Sequence, residues 1–210
     1  MCVLITYFEP FDGDAINASA CAAALLPEEI CGHEIITQEL PVVFQKAGER
    51  LRAAIERYHP ALVLCLGQAE GSPALHLERV AINLRDASRP DNSGSAPQEA
   101  PIIAQGPAAY FTSLPVKILA QALRESGIPA LVSNSAGTYV CNDVMYTLLH
   151  EQSKQDYHAR GGFIHVPLTP LQAANRGGGI PSMDSGIAAQ GLEKIIELCL
   201  SEAAGEMERI

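Results

Sequence analysis

A cysteine, a histidine and a glutamate stand in sequence settings that favour hydrolytic chemistry. Cys141 follows a short apolar strand and a turn of small residues, where a helix is predicted to begin. A thiol at a helix start faces unpaired N–H groups and the positive end of the helix dipole, which favour a thiolate. The same N–H groups would stabilise an oxyanion. From position alone, a buried structural cysteine at a helix start is an equally good interpretation.

A thiolate nucleophile needs a base, and the base needs a group that orients it. His165 is the candidate base, because it lies inside an apolar strand that ends at a proline. Glu78 is the candidate orienting acid, since a carboxylate among apolar strand residues needs a partner. The alternatives are a histidine satisfied within the core and a glutamate paired with Arg79 or Arg85. The histidines in polar, turn or helix-end settings are His33, His59, His150 and His158.

The elements that position these groups alternate between short apolar runs and longer amphipathic stretches. Strands are predicted at Cys2–Thr6, Glu34–Leu40, Ala61–Leu66, Ala130–Ser133 and Gly162–Val166. Helices are predicted at Ser19–Leu26, Phe44–Tyr58, Pro115–Ser126, Asn142–Glu151 and Ile187–Ala203. This order predicts an α/β fold, a three-layer α/β/α arrangement with a twisted, mainly parallel sheet and helices on both faces. The carboxyl ends of such strands are where ligands bind, which would bring Cys141 and His165 to one edge.

One region interrupts this alternation. Leu75–Leu84 reads as a strand with a hairpin-like character, and Asp86–Ala109 is rich in proline and glycine with few apolar residues. A loop of this length in a compact domain is often a lid or an oligomer contact. A solvated insertion is an equally good interpretation.

Composition limits the protein class. The chain has 210 residues, 48% of them hydrophobic and 18% charged, which suits one globular domain over residues 1–210 and excludes disorder. A net charge of -10 disfavours nucleic acid as a partner. No apolar run approaches the ~20 residues of a membrane span, and the N-terminus is a poor signal peptide. Six scattered cysteines without a Cys-x-x-Cys pair suggest reduced thiols and a cytoplasmic protein.

Cofactor and metal motifs are missing from the sequence. No glycine-rich dinucleotide fingerprint, phosphate-binding loop or His-Glu-x-x-His pair occurs. His76 and Glu78 match the start of a zinc deaminase signature, but its Pro-Cys-x-x-Cys part is lacking. We therefore expect no cofactor and no metal.

Several ordered segments resemble the pyroglutamyl peptidase type I family, also called pyrrolidone-carboxylate peptidases. The resemblance runs from the first predicted strand to beyond His165. Its segments are Phe8-Glu9-Pro10-Phe11 with Asn17, Leu66-Gly67-Gln68-Ala69, Glu78-Arg79-Val80-Ala81-Ile82-Asn83, Pro90-Asp91-Asn92, Ser135-Ala136-Gly137-Thr138-Tyr139-Val140-Cys141-Asn142 and Gly162-Phe163-Ile164-His165-Val166-Pro167.

The resemblance implies a cysteine peptidase that removes an N-terminal pyroglutamyl residue from peptides. It assigns the nucleophile to Cys141, the base to His165 and the acid to Glu78. The family's lactam pocket falls on Phe8, Phe11, Gln68, Tyr139 and Val140. Relatives are cytosolic, need no cofactor and form homo-oligomers, so a dimer or tetramer is expected.

The sequence also departs from the family pattern near the pocket. The altered positions are Tyr7, Asp12, Glu70, Ser72, Ser88 and Arg89. Arg89 occupies a position that is usually apolar, and we expect it to pair with a nearby acid, with Glu70 as the candidate. Two alternatives to the main function remain: a related hydrolase with altered N-terminal acyl specificity, and a non-catalytic binding protein of the same fold.

Overall fold

The structure, a computed structural model, describes residues 1–154, 159–177 and 179–201. His158 and the predicted helix end at Ala203 lie outside these ranges. The strands are β1 (Cys2–Phe8), β2 (Glu29–Ile30), β3 (His33–Leu40), β4 (Leu62–Ala69), β5 (Leu75–Glu78), β6 (Val80–Ile82), β7 (Ala109–Phe111), β8 (Ala130–Ser133) and β9 (Arg160–Pro167). The helices are α1 (Ala18–Ala23), α2 (Lys46–Tyr58), α3 (Val116–Glu125), α4 (Val140–Gln152), α5 (Pro170–Asn175) and α6 (Ser185–Leu200).

A seven-stranded sheet forms the middle layer, with strand order β2-β3-β1-β4-β9-β5-β8. Four of its strand pairs are parallel, whereas β2 and β5 run antiparallel to β3 and β9. Strands β1, β4 and β9 are almost wholly buried, because both faces of the sheet are covered. The predicted mainly parallel sheet is confirmed.

Helices cover both faces of this sheet and define two hydrophobic cores. One core joins α1, α3 and α6 to one face of the strands, and the other joins α2 and α4 to the opposite face. Helix α2 contributes a stripe of small and aliphatic residues, whereas α4 is buried nearly all round. The predicted three-layer arrangement is therefore confirmed. Within the described ranges, no helix combines the length and apolarity that a membrane span requires.

The predicted strand over Leu75–Leu84 is wrong as a single element, and it is not a hairpin. Arg79 divides the run between two sheets: its N–H donates to the Ser133 carbonyl beside the main sheet, and its carbonyl accepts from the Thr112 N–H. As a result β5 joins the main sheet, while β6 pairs with β7. Sequence analysis also missed β2, β7 and α5.

The segment that follows is largely exposed but is tied to the domain by hydrogen bonds. Asn83 accepts hydrogen bonds from the N–H groups of Ile102 and Ile103 and donates to the carbonyls of Ile103 and Gly106. Asp91 accepts from the backbone of Phe44 and of the following turn. Side-chain hydrogen bonds thus hold this proline-rich segment against the body of the domain, where it can form part of a binding cleft.

Candidate active site

Cys141 lies in the first turn of α4. Tyr139 precedes the helix in extended conformation and provides no side-chain hydrogen bond to its N–H groups. Cys141 is half-buried, although most of the other residues along α4 are buried. The thiol therefore reaches the surface where helix N–H groups point outward, as the sequence predicts.

Buried polar side chains anchor this helix start. Asn142 accepts a hydrogen bond from the Ile82 N–H and donates to the carbonyls of Ile82 and Leu84. Asp143 forms a buried ion pair with Arg85 at 2.9 Å. Sequence analysis missed both roles, and the only signal for them was two polar residues directly after the cysteine. They fix the start of α4, which carries Cys141.

His165 and Glu78 meet across neighbouring strands. In the β5–β9 register His76 lies opposite His165, so Glu78 is a diagonal neighbour on the same face. His165 Nδ1 lies 2.8 Å from Glu78 Oε1, and the two residues are 8% and 1% exposed. The alternative pairing of Glu78 with Arg85 is wrong, since Arg85 pairs elsewhere.

A glycine allows Cys141 and His165 to come together. Gly67 lies opposite His165 in the β4–β9 register. A Cβ added at Gly67 would lie 3.0 Å from Cys141 Sγ and 2.7 Å from the Phe163 ring. Only glycine leaves room there for the thiol beside the imidazole.

The charge of His165 depends on both neighbours. Burial lowers the pKa of His165, but the charge interaction and hydrogen bond with Cys141, together with the hydrogen bond and charge of Glu78, raise that pKa to about 10. The imidazole is therefore protonated at neutral pH, with Nδ1–H donating to Glu78. This arrangement can hold a thiolate and an acid catalyst side by side.

An apolar pocket adjoins the thiol. All the predicted substrate-binding residues line it: Phe8, Phe11, Gln68, Tyr139 and Val140. Asn17, Val42 and Cys141 complete its wall. Phe44 packs edge-on against Tyr139, with ring centroids 5.2 Å apart. The pocket is suited to a small, flat, neutral group.

Gln68 is engaged within the pocket wall. Its Oε1 accepts from the Ala18 N–H at 2.9 Å and from Gln172 Nε2 at 2.8 Å, and its Nε2 is 3.4 Å from Asp14 Oδ2. Arg176 also donates to Asp14. Sequence analysis missed Asp14, Gln172 and Arg176, because no local pattern connects residues so far apart. Gln68 therefore helps to build the pocket floor.

The expected pairing of Arg89 with Glu70 is wrong. Arg89 forms its ion pair with Asp12, and its guanidinium lies 6.0 Å from the Phe11 ring centroid. Glu70 is instead 3.9 Å from Arg176. The two loops that carry Arg89 and Asp12 face each other across the cleft, so one family departure compensates another.

The remaining departures have local explanations. Ser72 is buried and its Oγ is 2.6 Å from His76 Nε2. Tyr7 is half-buried against the core that contains α1. Ser88 is exposed and lines the cleft beside Arg89.

The chain is similar to known peptidases in sequence and in fold. A family model described as pyroglutamyl peptidase matches residues 1–202. The chain is 48% identical over 201 residues to the pyrrolidone-carboxylate peptidase of Pectobacterium carotovorum subsp. carotovorum (strain PC1), covering 95% of this chain and 93% of that protein. The crystal structure of pyroglutamyl peptidase I from Bacillus amyloliquefaciens superposes with a TM-score of 0.87 at 39% identity, covering 93% of this chain and 94% of that one.

A mutant pyrrolidone carboxyl peptidase from P. furiosus superposes with a TM-score of 0.92 at 41% identity, covering 96% of this chain and 99% of that one. These matches confirm the resemblance found in the sequence motifs and the expected peptidase class. Because the family model and the relatives span almost the whole sequence, this chain belongs to the pyroglutamyl peptidase family.

Proposed function

We propose that the chain cleaves the amide bond after an N-terminal pyroglutamyl residue, with Cys141 as nucleophile, His165 as acid and base, and Glu78 as the orienting acid. One observation carries this proposal: the buried His165–Glu78 pair, 2.8 Å apart, lies beside a thiol that opens onto an apolar pocket. Family membership supports the same activity.

In the acylation step the Cys141 thiolate attacks the pyroglutamyl carbonyl carbon. The oxygen becomes an oxyanion, which the N–H groups at the start of α4 stabilise. His165 then donates a proton to the departing amine as the carbon–nitrogen bond breaks. The products of this step are a thioester on Cys141 and a free peptide amine.

In the deacylation step neutral His165 removes a proton from water. The resulting hydroxide attacks the thioester, the carbon–sulfur bond breaks and pyroglutamate leaves. Cys141 returns as a thiolate and His165 as an imidazolium. Glu78 holds Nδ1–H throughout, which fixes the ring orientation and stabilises its charged form.

The pocket accounts for selection of the lactam. A pyroglutamyl group has no free α-amine, so no carboxylate is required to bind it. The aromatic and aliphatic walls from Phe8, Phe11, Tyr139 and Val140 suit a flat neutral ring. Asn17 and Gln68 form the polar part of the lining, with the Gln68 amide held in place by its neighbours.

Release of a fluorescent amine from pyroglutamyl, prolyl and alanyl amides tests this function. We expect strong preference for the pyroglutamyl amide and nearly complete loss in Cys141→Ser. Cys65→Ser, in the buried sheet, is the matched control that keeps the nucleophile. Preference for another amide would indicate altered acyl specificity, and no turnover at all would indicate a binding protein.

We further propose that residues 1–210 act as one catalytic domain, in a cytoplasmic homo-oligomer. All six cysteines are free, which suits a reducing compartment. The homo-oligomer is proposed from the resemblance to the family and from the long exposed segment 86–109. Light scattering at micromolar concentration should show a dimer or tetramer, and a fully active monomer would contradict the oligomer.

A further inference from the structure

A second cavity adjoins the lactam pocket at the thiol. Its volume is about 300 Å³, and its wall includes His165, Asp86 and Arg89, which do not line the lactam pocket. The two share Phe11, Gln68, Tyr139 and Cys141. On the proposed function, His165 protonates the departing amine, so the residue after the pyroglutamyl group must lie in the cavity that His165 lines. The inference below rests on that function.

The positive groups around this cavity are already paired with negative groups. Arg89 is compensated by its ion pair with Asp12. His165 is compensated by its ion pair with Glu78. These groups leave no net positive charge on the cavity wall.

Asp86 supplies an additional negative charge. Its N–H donates to the Thr138 carbonyl at 3.1 Å, and Thr138 Oγ1 donates to the Asp86 carbonyl at 2.7 Å, so its backbone is fixed. Its carboxylate, by contrast, makes no hydrogen bond or ion pair with any residue in the described ranges. Asp86 is exposed and lines the cavity that contains the catalytic histidine.

We propose that Asp86 is a specificity-determining residue that favours a basic residue directly after the pyroglutamyl group. A lysine or arginine side chain there gains a carboxylate partner, and the fixed Asp86 backbone holds that carboxylate at the cavity wall. An acidic side chain is repelled by Asp86. Arg89 cannot reverse this preference, since Asp12 already holds it.

The test compares kcat/KM for three peptides that differ only in the residue after the pyroglutamyl group: lysine, glutamine or glutamate. An exposed ion pair changes affinity by about two- to fivefold, so we expect lysine to exceed glutamine by that factor and glutamate to fall below it. In 1 M NaCl, where the screening length is about 3 Å, the preference should shrink toward one.

Substitutions at Asp86 test whether this residue causes the preference for lysine over glutamine. Asp86→Asn should bring the lysine-to-glutamine ratio to about one, and Asp86→Lys should reverse the order in favour of glutamate. Glu28→Gln removes the same charge from an exposed loop away from the cavity and should keep the wild-type ratio. This control separates a local effect from the general attraction of a protein with net charge -10 for cations.

The outcomes are distinguishable. A wild-type ratio of about one, or a ratio that Asp86→Asn leaves unchanged, overturns the inference while turnover of a pyroglutamyl coumarylamide keeps the proposed function. If neither that amide nor any of the three peptides is cleaved, the proposed function fails first. A ratio that falls equally in Glu28→Gln would assign the preference to net charge and not to Asp86.

Discussion

Replacing Glu78 with glutamine should move the alkaline limit of catalysis toward neutral pH. Above the pKa of His165, about 10 in the folded protein, the ring loses the proton that the departing amine needs. Glutamine keeps the shape of the side chain but removes its charge. The only change at Nδ1 is therefore the loss of a charge-assisted hydrogen bond, now formed at 2.8 Å.

The size of the effect follows from that bond. A hydrogen bond between charged groups contributes about 1.5–3 kcal/mol, and one pKa unit corresponds to about 1.36 kcal/mol. The pKa of His165 should therefore fall by about one to two units, from about 10 to about 8 or 9. Because a pKa of about 8 or 9 still leaves the ring protonated at neutral pH, the loss of kcat/KM should be largest on the alkaline side of the profile.

The same change in the pKa of His165 should alter how the free energy of unfolding depends on pH. Because the folded-state pKa of His165 is raised, its pairing stabilises the fold fully below the unfolded value of 6.5 and is lost as pH rises through about 10. In Glu78→Gln this contribution is smaller, and it is lost at lower pH. Denaturant unfolding across the alkaline range measures the difference between the two proteins.

The assay is kcat/KM for a pyroglutamyl coumarylamide as a function of pH, in wild type, Glu78→Gln and the surface control Glu28→Gln. Only the Glu78 variant should show the shifted alkaline limb. An unchanged limb in Glu78→Gln, or an equal shift in the control, would show that Glu78 does not stabilise the imidazolium.

Three further expectations concern the thiols, the glycine and the second histidine. Iodoacetamide should label Cys141 in the native enzyme with loss of activity. Burial raises the pKa of Cys65 and Cys199 to about 12, so these two thiols should be labelled only on unfolding. If peptide mass spectrometry finds either of them labelled before Cys141, the assignment of the nucleophile is wrong. Gly67→Ala should lower kcat at least about tenfold, since the new methyl would lie 3.0 Å from the Cys141 sulfur, and unchanged kcat would show that the thiol has room to move. Burial lowers the pKa of His76 below 6.5, so its NMR titration midpoint should lie below that value, and the fold should lose stability as pH falls through 6.5; a midpoint above 6.5 would contradict its burial.

Much of the fold could be predicted because its signals are local. The apolar runs of β1, β4 and β9 and the amphipathic stripe of α2 are visible in short windows, and the strands and helices formed where they were expected. Element ends differ by a few residues because capping geometry decides them, as at α4, which begins at Val140 and not at the predicted Asn142. The short elements β2, β7 and α5 carry too few residues for a periodic signal.

Pairings between distant residues could not be predicted from such windows. Arg89 binds Asp12 and not Glu70, because the loop after β1 faces the 86–95 segment across the cleft. Arg79 looks like an ordinary strand residue, yet its N–H and carbonyl bond to different sheets. Both results depend on which strands become neighbours, and strand order is a property of the whole domain.

The residue types already specify the chemistry: a cysteine at a helix start, a histidine in an apolar strand and a glutamate among apolar residues. Those local features depend only on helix geometry and side-chain polarity, so they can be identified without coordinates. The reactive geometry is a product of tertiary structure. It requires β4, β9 and β5 to be adjacent, which places Gly67 beside His165 and brings Glu78 within 2.8 Å of its ring. Free energy of burial over the whole sheet selects that strand order, and for this reason no segment of the chain contains it.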